Sequence, residues 1–129
     1  MAQTLILYYS QSGNTEKLAN IILAEVGGDI GRIDDGIDLS GYDTVFIGTP
    51  NHAASAAQAV QTFLKDSDLS GKTVVPFCTH GTGGLQNVAT AIESCCPDST
   101  VLPCFAIAGV EVDSAGDKVK VWLKDIGLV

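Results

Sequence analysis

Apolar runs along this chain come in two periods, and they alternate from one end to the other. Leu5-Ile6-Leu7-Tyr8-Tyr9 is a short apolar run of the kind that forms a buried strand. It is followed by Leu18, Ile21, Ile22 and Val26, which fall on one face of a helix covering roughly 14–26 and stopped by Gly27-Gly28. A short second strand is expected over 29–33. The stretch 34–42, with Asp34, Asp35, Gly36, Asp38, Ser40 and Gly41, reads as a loop that leaves little room for a full second helix. Thr44-Val45-Phe46-Ile47 predicts a third strand ending at Gly48-Thr49-Pro50, and 55–65 predicts a helix with Ala56, Val60, Phe63 and Leu64 inward. The fourth strand is placed over 73–78. The next helix carries Leu85, Val88, Ala89 and Ile92 at helical spacing, a fifth strand lies near 101–108, and a last helix spans about 115–126.

Strand and helix patterns in this alternation predict a parallel sheet covered by helices on both faces. Pro76 lies inside a strand expected to be central, where proline removes a ladder donor, so a local irregularity is expected there. Val119-Lys120-Val121 alternates like a strand, but Trp122, Leu123 and Ile126 assign it to the last helix, with Trp122 as a packing residue. Tyr8 and Tyr9 point to opposite sides of the first strand, so one of them should pack beneath a helix. The 129 residues fit one domain, 1–129, without repeats or linkers.

Three segments stand between a predicted strand and the helix after it: 10–15, 49–55 and 79–84. All three consist mainly of small, polar or glycine residues. In the first, Ser10-Gln11-Ser12-Gly13-Asn14-Thr15 precedes a helix N-terminus, where unpaired N–H groups and a partial positive charge can hold a phosphate. The same residues are also preferred helix caps, so the segment alone fits either a phosphate loop or a capped turn. In parallel sheets ligands collect beyond the carboxyl ends of the strands, and three such loops converging there favour a ligand site over three ordinary turns.

These residues resemble the flavodoxin-like proteins that bind FMN, especially the short bacterial flavodoxins. The likeness rests on Tyr9-Ser10-Gln11-Ser12-Gly13-Asn14-Thr15 as the phosphate loop and on Asp43 through Pro50 as the third strand and first flavin loop. Phe77-Cys78-Thr79-His80-Gly81-Thr82-Gly83-Gly84-Leu85 matches the fourth strand and second flavin loop. The resemblance implies a flavodoxin-like three-layer α/β sandwich, with a five-stranded parallel sheet in the order 2-1-3-4-5 and the second helix short or missing. Flavodoxin is itself a standard instance of the switch-point rule, so that placement is not independent of the resemblance. It further implies that Ser10, Ser12, Asn14 and Thr15, with the Gly13 amide, hold the FMN phosphate, Gln11 pointing outward or using its backbone. Thr49, Pro50, Asn51, His52 and Ala53, up to Ala54, would line one face of the flavin ring, and Thr79, His80, Gly81, Thr82 and Gly83 the other face and the edge. The family usually stacks an aromatic side chain on the ring. Here the first loop has none and the second offers only His80, so either His52 and His80 partly replace the aromatics, or binding is weaker, or a ring face is left open.

Composition and charge narrow the function. Hydrophobic residues make up 46% of the chain, which argues against disorder, and no apolar run approaches the roughly 18 residues that span a bilayer. Fifteen acidic residues against seven basic ones give a net charge of −8, which sets nucleic acid and anionic membranes aside as partners. The start of the chain lacks the features of an export signal, so a cytoplasmic protein with reduced cysteines is expected. Cys78, Cys95, Cys96 and Cys104 show no metal-site spacing, and Asp34, Asp35 and Asp38 read as a solvated loop rather than a cation site. No nucleophile or acid–base constellation is evident, and the residues expected of a phospho-receiver domain are missing, with Ser10-Gln11 and Gly48-Thr49 in their places. The expectation is an electron-transfer protein rather than an enzyme with its own turnover: a monomer that carries FMN non-covalently and docks redox partners with basic faces. The alternatives are an FMN-dependent NAD(P)H quinone or nitro reductase and a flavin-free binding module on the same fold.

Overall fold

A computed structural model describes residues 3–10, 13–52, 55–81 and 87–128, with only the backbone of His52. Strand β1 (Thr4–Tyr8) leads into helix α1 (Asn14–Val26), strand β2 (Asp29–Arg32) and strand β3 (Thr44–His52). A short strand β4 (Ser55–Ala56), helix α2 (Gln58–Asp66) and strand β5 (Thr73–His80) follow. Helix α3 (Val88–Cys95), strands β6 (Thr100–Val101) and β7 (Phe105–Ala108), a 3₁₀ segment (Gly109–Ser114) and helix α4 (Gly116–Asp125) complete the chain. The sheet order is β2-β1-β3-β5-β6, with β7 also on β5, and every pairing is parallel except β3 with β4. This is the expected flavodoxin-like order, with the fifth strand in two pieces.

The period-2 alternation of the strands divides the core into two layers. Leu5, Leu7, Val45, Ile47, Val74 and Cys78 pack against Val60 and Leu64 of α2 and Val88 and Ile92 of α3. Ile6, Tyr8, Phe46, Val75 and Phe77 face the other way, against Leu18 and Ile22 of α1 and Val119, Trp122 and Leu123 of α4. Leu18 and Ile22 are fully buried one helical turn apart, and truncating either to alanine is expected to cost about 2–5 kcal/mol. No helix forms between β2 and β3. Ile37, Leu39 and Tyr42 of that connection pack directly on the first layer, in the place of a helix.

Two expectations need correction. The helix expected from Ser55 begins at Gln58, because Ser55 and Ala56 turn back to pair with His52 and Asn51. The fifth strand is broken between Val101 and Phe105. Val101 pairs with Val74 and Phe105 with Phe77, so the partner of β5 holds one extra residue in that interval. The reason is Pro76. The Leu102 N–H donates to the Val74 carbonyl at 2.9 Å, so Val74 turns its backbone groups toward β6. Two residues on, Pro76 faces the same side with no N–H to give, and there 102–104 leaves the ladder. The expected irregularity is thus real and lies on the neighbouring strand. Trp122 Nε1 donates to the Pro103 carbonyl at 3.0 Å, and its ring packs on those of Phe46 and Phe105, so the irregular segment is anchored from α4.

Candidate functional site

Strand order reverses beside β1: the chain leaves it for β2 on one side and returns to β3 on the other. The carboxyl ends of β1, β3 and β5 therefore open onto one crevice, the location where ligands settle in open α/β sheets. The ends are tied together. Tyr9 N–H donates to the Gly48 carbonyl at 3.0 Å, and Pro50 pairs in register with Thr79. The predicted site residues Ser10, Gly13, Asn14, Thr15, Thr49, Pro50, Asn51, Thr79, His80 and Gly81 are all brought to this end of the sheet. Gln11, Ser12, Ala53, Ala54, Thr82 and Gly83, with Leu85 of the helix pattern, lie outside the described residues, as does the side chain of His52.

The start of α1 is built for close approach. Gly13 precedes the helix in the left-handed conformation, at φ 91°, which glycine adopts without the strain a side chain would bring. Its N–H donates to Ser10 Oγ at 3.1 Å, closing the turn. No side chain among the described residues caps the helix. The first-turn N–H groups, which helical geometry leaves without intrahelical partners, therefore remain as donors. Among the described residues Ser10, Asn14 and Thr15, none caps the helix with its side chain.

Some predicted ligand groups are instead engaged inside the protein. Thr49, fully buried on the α2 side of the sheet, accepts from the Ala57 N–H at 2.9 Å and donates to the Pro50 carbonyl at 2.8 Å. Its hydroxyl fixes the entry to α2, and the strand backbone at 49–51 is what meets the crevice. Thr15 and Thr79, both buried on the α1 side, share a hydroxyl–hydroxyl bond of 2.8 Å. The hydroxyl of Thr15 retains capacity for one further bond. Gly48 lies beneath this pair, and a Cβ there would overlap the Phe77 ring. The sheet thus comes close to α1 where the phosphate loop begins.

The sequence pattern did not single out the loop after β7. A Cβ at Gly109 would overlap the Asn14 amide, so the first residue of α1 lies directly on the 3₁₀ segment. Lys17 reaches Asp113 of the same segment at 3.6 Å. The available signal was Gly109 itself, a glycine directly after the last strand.

Tyr8 donates its phenol proton to Glu16 Oε2 at 3.0 Å, and Arg32 lies 5.7 Å from its ring centre. Burial, and then the neighbouring Glu16 carboxylate, push the Tyr8 phenol above its ordinary range. The Cys104 thiol donates to the Phe105 carbonyl at 3.6 Å. Hydrogen bonding with Cys78, and then burial, push Cys104 far up, while hydrogen bonding with Cys104 holds Cys78 below the usual thiol range against the opposing effect of its burial. All four cysteines are free thiols, and no cluster among the described residues could hold a metal ion. The acidic loop is accounted for locally: Asp35 accepts from the Arg32 N–H at 2.8 Å, Asp38 from the Ser40 N–H at 3.0 Å, and Asp34 sits 3.5 Å from Arg32 Nε. A groove of about 510 Å³ lined by Ile37, Asp38, Phe63, Asp68 and Lys72 opens at the other end of the sheet. Its lining residues flank the amino ends of β3 and β5, so it is not part of the crevice. No helix among the described residues is long and apolar enough to cross a membrane.

Comparisons with known proteins agree with this geometry. A family model described as Flavodoxin matches residues 31–126. Flavodoxin 1 of Salmonella typhimurium is 34% identical over 86 residues, covering 60% of this chain and 49% of that protein, so the match spans about half of the relative's length. A Bacteroides eggerthii protein described as a candidate flavoprotein superposes with a TM-score of 0.81 at 26% identity, covering 98% of both chains. A Lactobacillus acidophilus flavoprotein solved in complex with FMN gives 0.67 at 24% identity, covering 88% of this chain and 98% of that one, a likeness of fold. With the family match extending over most of the chain, the strand order and the crevice find their explanation: the protein belongs to the flavodoxin family.

Proposed function

We propose that this protein binds FMN non-covalently in the crevice and passes electrons between redox partners. The observation that carries the reading is the open N-terminus of α1, uncapped among the described residues, entered through left-handed Gly13 and set at the reversal of strand order. Several N–H donors converge there with no side-chain cap among the described residues, and a phosphate is the anion such an arrangement suits. Ser10, Ser12, Asn14 and Thr15 add uncharged donors around it. The FMN complex of the Lactobacillus acidophilus relative supports the choice of nucleotide.

In this reading the backbone of 49–54 lines one face of the flavin ring, and 79–83 lines the other face and the edge. The residues present fit the group, because the walls are small side chains and main chain that allow close approach. FMN, when bound, supplies the redox chemistry. The chain itself anchors the phosphate, holds the ring, and places main-chain N–H groups where negative charge on the ring is stabilised. No acid, base or nucleophile is required of a side chain. The net charge of −8 favours partners with basic docking faces, and the free thiols suit a reducing cytoplasm, where the protein would work as a monomer.

The test is the visible spectrum of the purified protein with and without added FMN, followed by reduction with NADPH in the presence and absence of a flavodoxin reductase. Flavin absorbance that bleaches only when the reductase is present supports a carrier. Turnover of a quinone with NADPH and no reductase makes the protein an enzyme, and no FMN binding makes it a flavin-free module.

A further inference from the structure

His80 ends β5, on the strand face that also carries Cys78, and its side chain is half-buried. Its Nδ1 is shut off from solvent and has no hydrogen-bond partner among the described residues. A buried polar atom left unpaired costs about 1–3 kcal/mol. Such atoms are rare in folded proteins and call for a reason. Packing does not supply one, since an apolar side chain would fill the same space without that cost. The side chains at the described neighbouring positions do not supply a partner either. Ala108, opposite in the register, has only a methyl group, Gly81 has no side chain, and the Thr79 hydroxyl is bonded to Thr15 on the other side of the sheet.

We infer that His80 is completed by the ligand: its Nδ1 forms an in-plane hydrogen bond with the imide edge of the flavin ring. This inference rests on the FMN reading above. The imide edge carries two carbonyl acceptors flanking one N–H donor, so either neutral tautomer of the imidazole finds a complement. His80 is then a polar specificity contact that selects an imide-bearing ring, not a stacked substitute for the aromatic side chain the first loop lacks. Exposing Nδ1 requires the imidazole or its cover to shift as the ring enters, so the contact forms on binding.

The test uses the full chain with nitrogen-15-labelled histidine, together with His80→Asn and His80→Phe. Asparagine places an amide near the position of Nδ1, and phenylalanine keeps a ring without nitrogen. The expected results are an FMN-induced shift of the His80 Nδ1 resonance, an affinity loss of about tenfold in His80→Phe, and affinity within about threefold of the parent in His80→Asn. The resonance is read on the unsubstituted protein, so it stands even if a variant folds poorly. A resonance unmoved at saturating FMN, or phenylalanine binding as tightly as histidine or tighter, overturns the His80 assignment and leaves FMN binding intact. Failure of the unsubstituted protein to bind FMN overturns both.

Discussion

The hydroxyls of Thr15 and Thr79 meet at 2.8 Å in the buried interior, joining the first turn of α1 to the end of β5 across 64 residues of sequence. These are the elements expected to hold the phosphate and one face of the flavin ring, so the bond ties the two halves of the crevice together.

Replacing either threonine with valine leaves one buried hydroxyl unpaired and is expected to cost about 1–3 kcal/mol. The double variant Thr15→Val/Thr79→Val removes both groups and is expected to lose less than the sum of the singles, by about 1 kcal/mol. Urea denaturation of the four proteins measures the coupling. Strict additivity would mean that the bond contributes nothing.

Gly48 is held to glycine by Phe77, whose fully buried ring occupies the space of a Cβ. Gly48→Ala is expected to destabilise the fold by about 1–3 kcal/mol through overpacking, and adding Phe77→Leu should recover part of that loss. Thermal melts of the single and double variants check it; an alanine variant as stable as the parent contradicts the packing described.

Tyr8 makes stability depend on alkaline pH. Its folded-state pKa is raised, by burial and then by Glu16, so the fold favours the protonated phenol. That contribution is intact below the unfolded tyrosine value of about 10 and disappears as pH rises through the raised folded value. Denaturation midpoints between pH 8 and 11 should fall more steeply for the parent than for Tyr8→Phe. Parallel curves would contradict the link.

Much of the fold was legible because burial follows period: Leu5, Leu7 and Ile6, Tyr8 divide between the two layers as the alternation requires. The missing second helix was legible in the Asp, Gly and Ser residues between Asp34 and Tyr42, which read as a loop and leave little room for a helix. The broken fifth strand was not, because its cause lies on another strand: Pro76 withdraws a donor, and 102–104 responds. Ser55 and Ala56 carry helical spacing but are drawn into a tertiary pairing with His52 and Asn51. Within the site, the described residues of the three segments lie at the carboxyl ends of β1, β3 and β5 as the alternation requires, but the direction of each side chain was not legible. Thr49, next to Gly48, and Thr15, two residues after Gly13, look alike as hydroxyl donors near a glycine. Strand alternation turns Thr49 toward α2, where the Ala57 N–H engages it, and helix position turns Thr15 toward Thr79. The contact of Asn14 with Gly109 joins loops nearly a hundred residues apart, and no local pattern encodes it.

The most direct measurement is the affinity of the purified protein for FMN against riboflavin, by quenching of flavin fluorescence. The two ligands share the ring and differ in the phosphate. Several charge-assisted hydrogen bonds at the start of α1, each worth about 1.5–3 kcal/mol, predict one-to-one binding with FMN tighter by tenfold or more. Equal affinity for the two, or binding of neither, contradicts a phosphate anchored at Gly13 and the first turn of that helix.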